Sequence, residues 1–239
     1  MNIDNQKEYW NEVAEIKTFT HPIDLEIMNT FLNKQSKIID FGCGYGRIVK
    51  QLTEFGFENV SGFDTSKELI ARGIAENNLS IFHIESPTEL KLEDNSIDCI
   101  ILFAVLTCIP SNDGQNSLIK LLCSKLKKGG ILYISDYYIQ ENSVEVERYE
   151  YLNGDKNNFG VFKLPEGVLF RHHTKEWIQT LTKNFEILIE NGSELNFEFS
   201  KGDYYYPAKF LNFAIIKWND EINKVKKLTE ENNKLEKEN

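Results

Sequence analysis

A chain of 239 residues, 41% hydrophobic and 12% aromatic, has enough apolar surface to bury one sizeable core. Its formal net charge of −10, with no local basic patch to offset it, argues against nucleic acid or an anionic membrane surface as the main partner. The start MNIDNQKEYW is too polar for a signal peptide and the longest apolar run, 99–110, is too short to span a bilayer, which predicts a cytoplasmic protein without a membrane span.

Residues 1–36 read as N-terminal capping helices, with Tyr9 and Trp10 as their aromatic pair. Short apolar runs then alternate with amphipathic stretches. Strands are expected at 37–41, 59–64, 79–85, 97–104 and 130–136, and helices at 45–55, 66–77 and 113–127. Gly56 offers a stop for the first of these helices, and Thr65 with Glu68 fits a capping box opening the second. Near-continuous apolar strands separated by helices imply a parallel sheet covered on both faces, a doubly wound α/β fold. Cys43, Cys99, Cys108 and Cys123 show neither CxxC pairing nor zinc-like spacing, so reduced thiols and no metal are expected.

After Tyr138 the pattern changes. Residues 139–172 are polar, aromatic and glycine-punctuated without a period, which predicts an inserted lid or substrate-binding region within a main domain of 37–218. A helix is expected at 174–183, then strands at 185–190 and 210–218 that suit an antiparallel pair at the sheet edge. The charged tail, 219–239, places Val225, Leu228, Asn232, Leu235 and Asn239 at heptad positions. It reads either as a solvated C-terminal helix or as the start of a coiled coil leading to a homodimer or a following domain.

The stretch IIDFGCGYGR, 38–47, follows the first strand and opens a helix, as a nucleotide-binding turn does. Asp64, at the end of the second strand, can accept from both ribose hydroxyls of a nucleoside. The spacing is Gly42-x-Gly44-x-Gly46 rather than the dinucleotide G-x-G-x-x-G, and an acid, Asp40, stands just ahead of it. An acid beside the ligand suits a cationic group better than a pyrophosphate. S-adenosyl-L-methionine, with a sulfonium and an ammonium and no phosphate, fits that demand.

Together, IIDFGCGYGR, GFDTS and LKKGGILYISDY resemble the motifs of the class I S-adenosylmethionine-dependent methyltransferases, over 38–218. The resemblance implies a Rossmann-like seven-stranded, mostly parallel sheet of order 3-2-1-4-5-7-6 with its seventh strand antiparallel. It implies that Asp40, Gly42, Gly44, Gly46 and Arg47 line the methionine half of the cofactor, that Asp64 holds the ribose, and that Thr65 lies at the adenine edge. The family's usual acid after the third strand is missing: Glu85-Ser86 stands there, leaving Ser86 or a backbone group for that contact. Phe103 and Ala104 should run beside the transferred methyl, with Tyr9 and Trp10 covering the cofactor.

Methyl transfer needs alignment, exclusion of water and, for a hydroxyl acceptor, a general base. The carboxyl end of the fifth strand offers Asp136, Tyr137 and Tyr138; LFRHHTKEW offers Arg171, His172 and His173; the insertion adds Arg148 and Tyr151. The base is open among Asp136, His172, His173 and a tyrosine. The expected reaction is O-methylation of a small-molecule or glycan acceptor, with no nucleic acid. The alternative is a non-catalytic S-adenosylmethionine-binding scaffold acting through the tail.

Overall fold

The computed structural model describes residues 6–140, 148–183, 185–198 and 205–217. In chain order the elements are α1 (Lys7–Glu12), α2 (Leu25–Phe31), β1 (Lys37–Phe41), α3 (Arg47–Glu54), β2 (Asn59–Asp64), α4 (Lys67–Asn77) and β3 (Ile81–His83). They continue with β4 (Ile97–Phe103), a 3₁₀ turn (Leu106–Cys108), α5 (Asn112–Lys125), β5 (Leu126–Tyr137), β6 (Glu150–Tyr151), β7 (Phe159–Lys163) and β8 (Leu169–Arg171). The last are α6 (Lys175–Leu181), β9 (Phe185–Glu198) and β10 (Tyr205–Lys217).

The described strands of the main sheet run β3-β2-β1-β4-β5-β10-β9. The first five are mutually parallel, in the 3-2-1-4-5 order of the expected doubly wound fold. β10 pairs antiparallel with β5, and β9 with β10.

The apolar runs follow from burial on both faces. Ile39, Ile100, Leu102, Leu132 and Ile134 join Leu118 and Leu122 of α5 and Ile178 of α6 in one core. Their neighbours Ile38, Cys99, Ile101 and Tyr133 point the other way, onto Ile27 of α2, Leu52 of α3 and Ile70 of α4. Alternation by two therefore shows no polar phase, because each face has its own helical cover.

Three expectations are revised. The cap of α4 is Ser66 rather than Thr65: its Oγ accepts from Leu69 N–H at 3.2 Å, while Asp64 draws in Ser66 N–H at 2.7 Å. The insertion holds a second, antiparallel sheet, β6-β7-β8, whose strands of two, five and three residues are too short for a period to show. β5 starts four residues before the expected 130, at Leu126, so α5 stops at Lys125 instead of 127. The tail, and with it the coiled-coil expectation, lies outside the described residues. No described helix is long and apolar enough to cross a membrane.

One packing constraint reaches the glycine-rich loop. A Cβ at Gly73 of α4 would sit 2.3 Å from the carbonyl oxygen of Tyr45, so only glycine lets the helix lie against the loop. Gly73→Ala is expected to cost about 1–3 kcal/mol in urea unfolding, the range for overpacking a fixed backbone. Unchanged stability would mean the loop can retreat freely.

Candidate active site

The strand order reverses between β1 and β4, so the crevice for a ligand opens at their carboxyl ends. The loops after these strands face each other there: a Cβ at Gly42 would lie 2.6 Å from Val105 Cγ2. Gly42 has φ +75°, and Gly46, with φ +80°, caps α3 in the left-handed region. Side chains at both positions would strike protein, Val105 at one and Leu79 at the other. These glycines are therefore required by dihedral and by packing, more than by open space toward a ligand.

Four of the loop's amide groups are spent internally. Gly42 and Cys43 N–H donate to Phe63 O at 2.7 and 3.1 Å, and Gly46 N–H donates to Cys43 O at 2.9 Å. Gly44 N–H donates to Asp64 Oδ2 at 2.7 Å. A pyrophosphate-binding turn needs such N–H groups free to point at the phosphate. Asp64 ties this loop to the turn after β2, taking Gly44 N–H on one oxygen and Ser66 N–H on the other. Burial raises its pKa, while the N–H groups of Ser66, Gly44 and Thr65 act against that rise. Of its roughly four lone-pair sites, at least one stays open to a ligand hydroxyl.

Asp40 stands one layer deeper. It is 1% exposed, and neither carboxylate oxygen has a hydrogen-bond partner among the described residues. Burial pushes its pKa up to about 7; Arg47 pulls downward and Asp64 pushes further up. Arg47 opens α3 with its Nε also buried and unpartnered, and its guanidinium lies 5.1 Å from the Phe103 ring. Buried polar groups are ordinarily paired. An orphaned carboxylate at the switch point suits a cationic ligand, the character of S-adenosylmethionine.

Ala104 closes β4 with φ +54°, a strained value for a residue with a side chain. Trp10 stacks on Phe170 at 6.1 Å and meets Phe19 at 6.1 Å, with Tyr9 edge-on to it at 5.0 Å. Phe19 in turn stacks on Tyr45 of the glycine loop at 5.4 Å. Thr65 is half-buried beside Asp64, and Ser86 opens the turn after β3, its Oγ 2.6 Å from Thr88 Oγ1.

On the other side of the crevice the expected acceptor residues divide. Asp136 is fully buried, its oxygens taking Thr107 N–H at 3.1 Å and Tyr137 N–H at 2.8 Å; burial lifts its pKa to about 7. His173, also fully buried, has Nδ1 at 3.1 Å from Tyr137 O and 3.6 Å from Asp136 Oδ1. A carbonyl can only accept, so Nδ1 carries the proton, and Nε2 lies 3.0 Å from Gln115 Nε2. Burial takes His173 down to about 3. The guanidinium of Arg171 is turned inward, donating to Phe159 O, Pro110 O and Asn112 Oδ1 and stacking over Trp177. The expectation of an Arg171 free to bind an anion is corrected by that placement.

His172 differs. Its Nδ1 lies 2.7 Å from Tyr149 Oη, Tyr137 stacks on its ring at 5.0 Å and Phe162 meets it edge-on at 4.8 Å. Burial, with Arg148 and His173 nearby, pushes its pKa well down and keeps it neutral. Arg148 covers the far side of Phe162 at 3.8 Å, Tyr138 packs into the core under α6, and Tyr151 stands half exposed against Phe159. No motif or spacing marks Gln115, Gln6, Asn11 or Phe19 in the sequence. Gln115 shows only as a lone amide in an apolar helix stripe, and the others sit in the short N-terminal segment.

The parallel 3-2-1-4-5 sheet, with a glycine-rich loop and two buried acids at its switch point, is a Rossmann-like arrangement. The chain belongs to the methyltransferase-domain family, whose model matches residues 17–190. It is 31% identical over 140 residues to the ribosomal protein L11 methyltransferase of Shewanella halifaxensis (strain HAW-EB4), covering 55% of this chain and 45% of that one. It is 27% identical over 153 residues to O-methyltransferase 3 of Dictyostelium discoideum, covering 55% and 34%. The chain thus spans less than half the length of either relative. In fold it is similar to a SAM-dependent methyltransferase of Methanosarcina mazei, with a TM-score of 0.69 at 23% identity over 84% of this chain and 100% of that one.

Proposed function

We propose that this protein transfers the methyl group of S-adenosylmethionine to a hydroxyl of a small-molecule or sugar acceptor in the cytoplasm, within a full seven-stranded methyltransferase domain whose β6–β8 sheet walls the acceptor side. The observation that carries the cofactor half is Asp40, a buried carboxylate left for a cation. One relative is named an O-methyltransferase, which supports oxygen as acceptor atom. The net charge of −10 supports an acceptor other than nucleic acid.

S-adenosylmethionine supplies a methyl carbon made electrophilic by its sulfonium. Asp64 holds the ribose through its remaining lone pairs, and Asp40 with the loop 42–46 and Arg47 faces the aminoacyl end. Thr65 and Ser86 border the adenine; Phe103 and Ala104 run beside the reacting centre, and Tyr9 and Trp10 exclude water from above. His172 takes the proton of the acceptor hydroxyl, being neutral and set among Tyr137, Tyr149, Phe162 and Arg148. Asp136 and Arg171 hold the turn after β4 instead, through Thr107 N–H and Pro110 O, and His173 is bonded to Tyr137 O.

His172→Ala is expected to lower S-adenosylhomocysteine release about 10²-fold or more across a panel of phenolic and sugar acceptors, the range for losing a general base. Calorimetric affinity for S-adenosylhomocysteine should change by about twofold at most. Undiminished turnover with any active acceptor would remove His172 from proton transfer.

A further inference from the structure

The turn after β4 has its backbone held from several directions. Gln115 Nε2 donates to Leu106 O at 3.0 Å and to Ile109 O at 2.7 Å. Asp136 accepts from Thr107 N–H, and Arg171 donates to Pro110 O at 3.1 Å. The carbonyl between them, Cys108 O, is taken from outside this group, by Gln6 Nε2 at 2.7 Å.

Gln6 does more. The same nitrogen donates to Leu169 O at 2.9 Å, and its Oε1 accepts from Leu169 N–H at 2.9 Å. The carboxamide thus pairs with both backbone groups of the first residue of β8, on the edge not bonded to β7, as a further strand would. One side chain joins three backbone groups on two segments more than a hundred residues away in sequence, and its two N–H groups and its oxygen are all used.

The sheet order says where this segment runs. Gln6 grips the turn that follows β4, and Asn11 Oδ1 accepts from Ser66 Oγ at 2.8 Å and Glu68 N–H at 3.2 Å, just after β2. Between β4 and β2 lies β1, so the segment crosses the carboxyl end of β1, above Asp40 and the glycine loop. α1 has six residues, none of them buried. So short a helix does not hold itself; its contacts at the two ends hold it.

We propose that Gln6 is a positioning residue that couples the cofactor crevice to the acceptor-side sheet, so that filling the crevice beneath α1 and fixing β8 are one event. This rests on the cofactor reading given above. A cofactor packed under α1 stabilises the crossing segment. Gln6 passes that order to Leu169, and Trp10 passes it to Phe170 by stacking. Arg171 and His172 follow directly in the chain. Coupling of this kind is reciprocal, so an ordered β8 also favours cofactor retention.

The test is hydrogen–deuterium exchange of the full chain with and without saturating S-adenosylhomocysteine, for the wild type and for Gln6→Met, which keeps the side chain's length and removes its hydrogen bonds. In the wild type the ligand should slow exchange both in 42–46 and in 159–171. In Gln6→Met the slowing at 42–46 should remain, while that at 159–171 falls about tenfold. A purely structural role would speed exchange at 159–171 equally with and without ligand, leaving the ligand-dependent difference intact, and would overturn the proposal. So would a wild type in which 42–46 responds and 159–171 does not. A wild type that does not bind S-adenosylhomocysteine at all would instead overturn the cofactor reading, and the coupling with it.

Discussion

Asp64→Ala is expected to weaken S-adenosylhomocysteine binding about a hundredfold or more, the largest loss for any single side chain in the crevice. Two effects add. The first is loss of hydrogen bonds from ribose hydroxyls to a carboxylate, worth about 1.5–3 kcal/mol each when charge-assisted. The second is local: Gly44 and Ser66 N–H, now 2.7 Å from its oxygens, lose their acceptor, so the loop after β1 and the turn after β2 come untied. Asp64→Asn should recover little, because an amide nitrogen would face one of those N–H groups. Calorimetry reads the affinity and circular dichroism checks the fold. Affinity within about twofold of wild type would place the ribose elsewhere.

That double use of Asp64 shows what the sequence could and could not disclose. Its place at the end of a strand, after a glycine turn, follows from apolar runs and spacing, both local in the chain. The parallel strands 37–41 and 59–64 were legible for the same reason, since burial on both faces leaves uninterrupted apolar residues. What stayed hidden depends on side-chain-to-backbone bonds across the fold. Gln6 meets Cys108 and Leu169 at sequence separations of 102 and 163, and no periodicity encodes such a pair.

The inward turn of Arg171 stayed hidden for a related reason. Arg171 and His173 look like free chemistry because arginine and histidine are mostly exposed, yet both are buried. β6 to β8 were missed because a strand of two or three residues makes no pattern, and the glycines that allow their bends, Gly160 and Gly167, also read as loop. The family motifs lie on the side of the crevice where the sequence pattern is local, in the loops after β1 and β2.

Asp40→Asn should make the free protein more stable and the liganded one harder to form. The folded-state pKa of Asp40 is raised from 3.8 to about 7 by burial, with Asp64 adding to the rise and Arg47 opposing it. A carboxyl whose folded pKa is raised favours folding while it stays protonated. Its contribution is full below about pH 4 and is lost as pH climbs through about 7. The amide does not ionise, so the variant should unfold at higher urea than wild type at pH 8, by about 1–2 kcal/mol once the unpaired amide is discounted. At pH 4 the two should converge. Asp136 shifts the same way but is present in both proteins and drops out of the difference.

Binding carries the opposite sign. An ammonium or sulfonium beside Asp40 favours its ionised form, so complex formation should release a proton near neutrality. Wild-type affinity for S-adenosylhomocysteine should rise about tenfold from pH 6 to pH 8, with a calorimetric enthalpy that depends on the buffer's ionisation heat. His21, pushed down to about 4 by burial, does not titrate in that window. In Asp40→Asn the affinity should be about tenfold or more weaker at pH 8 and flat across the range. A wild type whose affinity does not change with pH would mean that the cation is held elsewhere and that the orphaned carboxylate has another partner. The gain in stability with loss of binding, both from one atom exchanged, would mark Asp40 as a charge kept at a cost for the ligand it awaits.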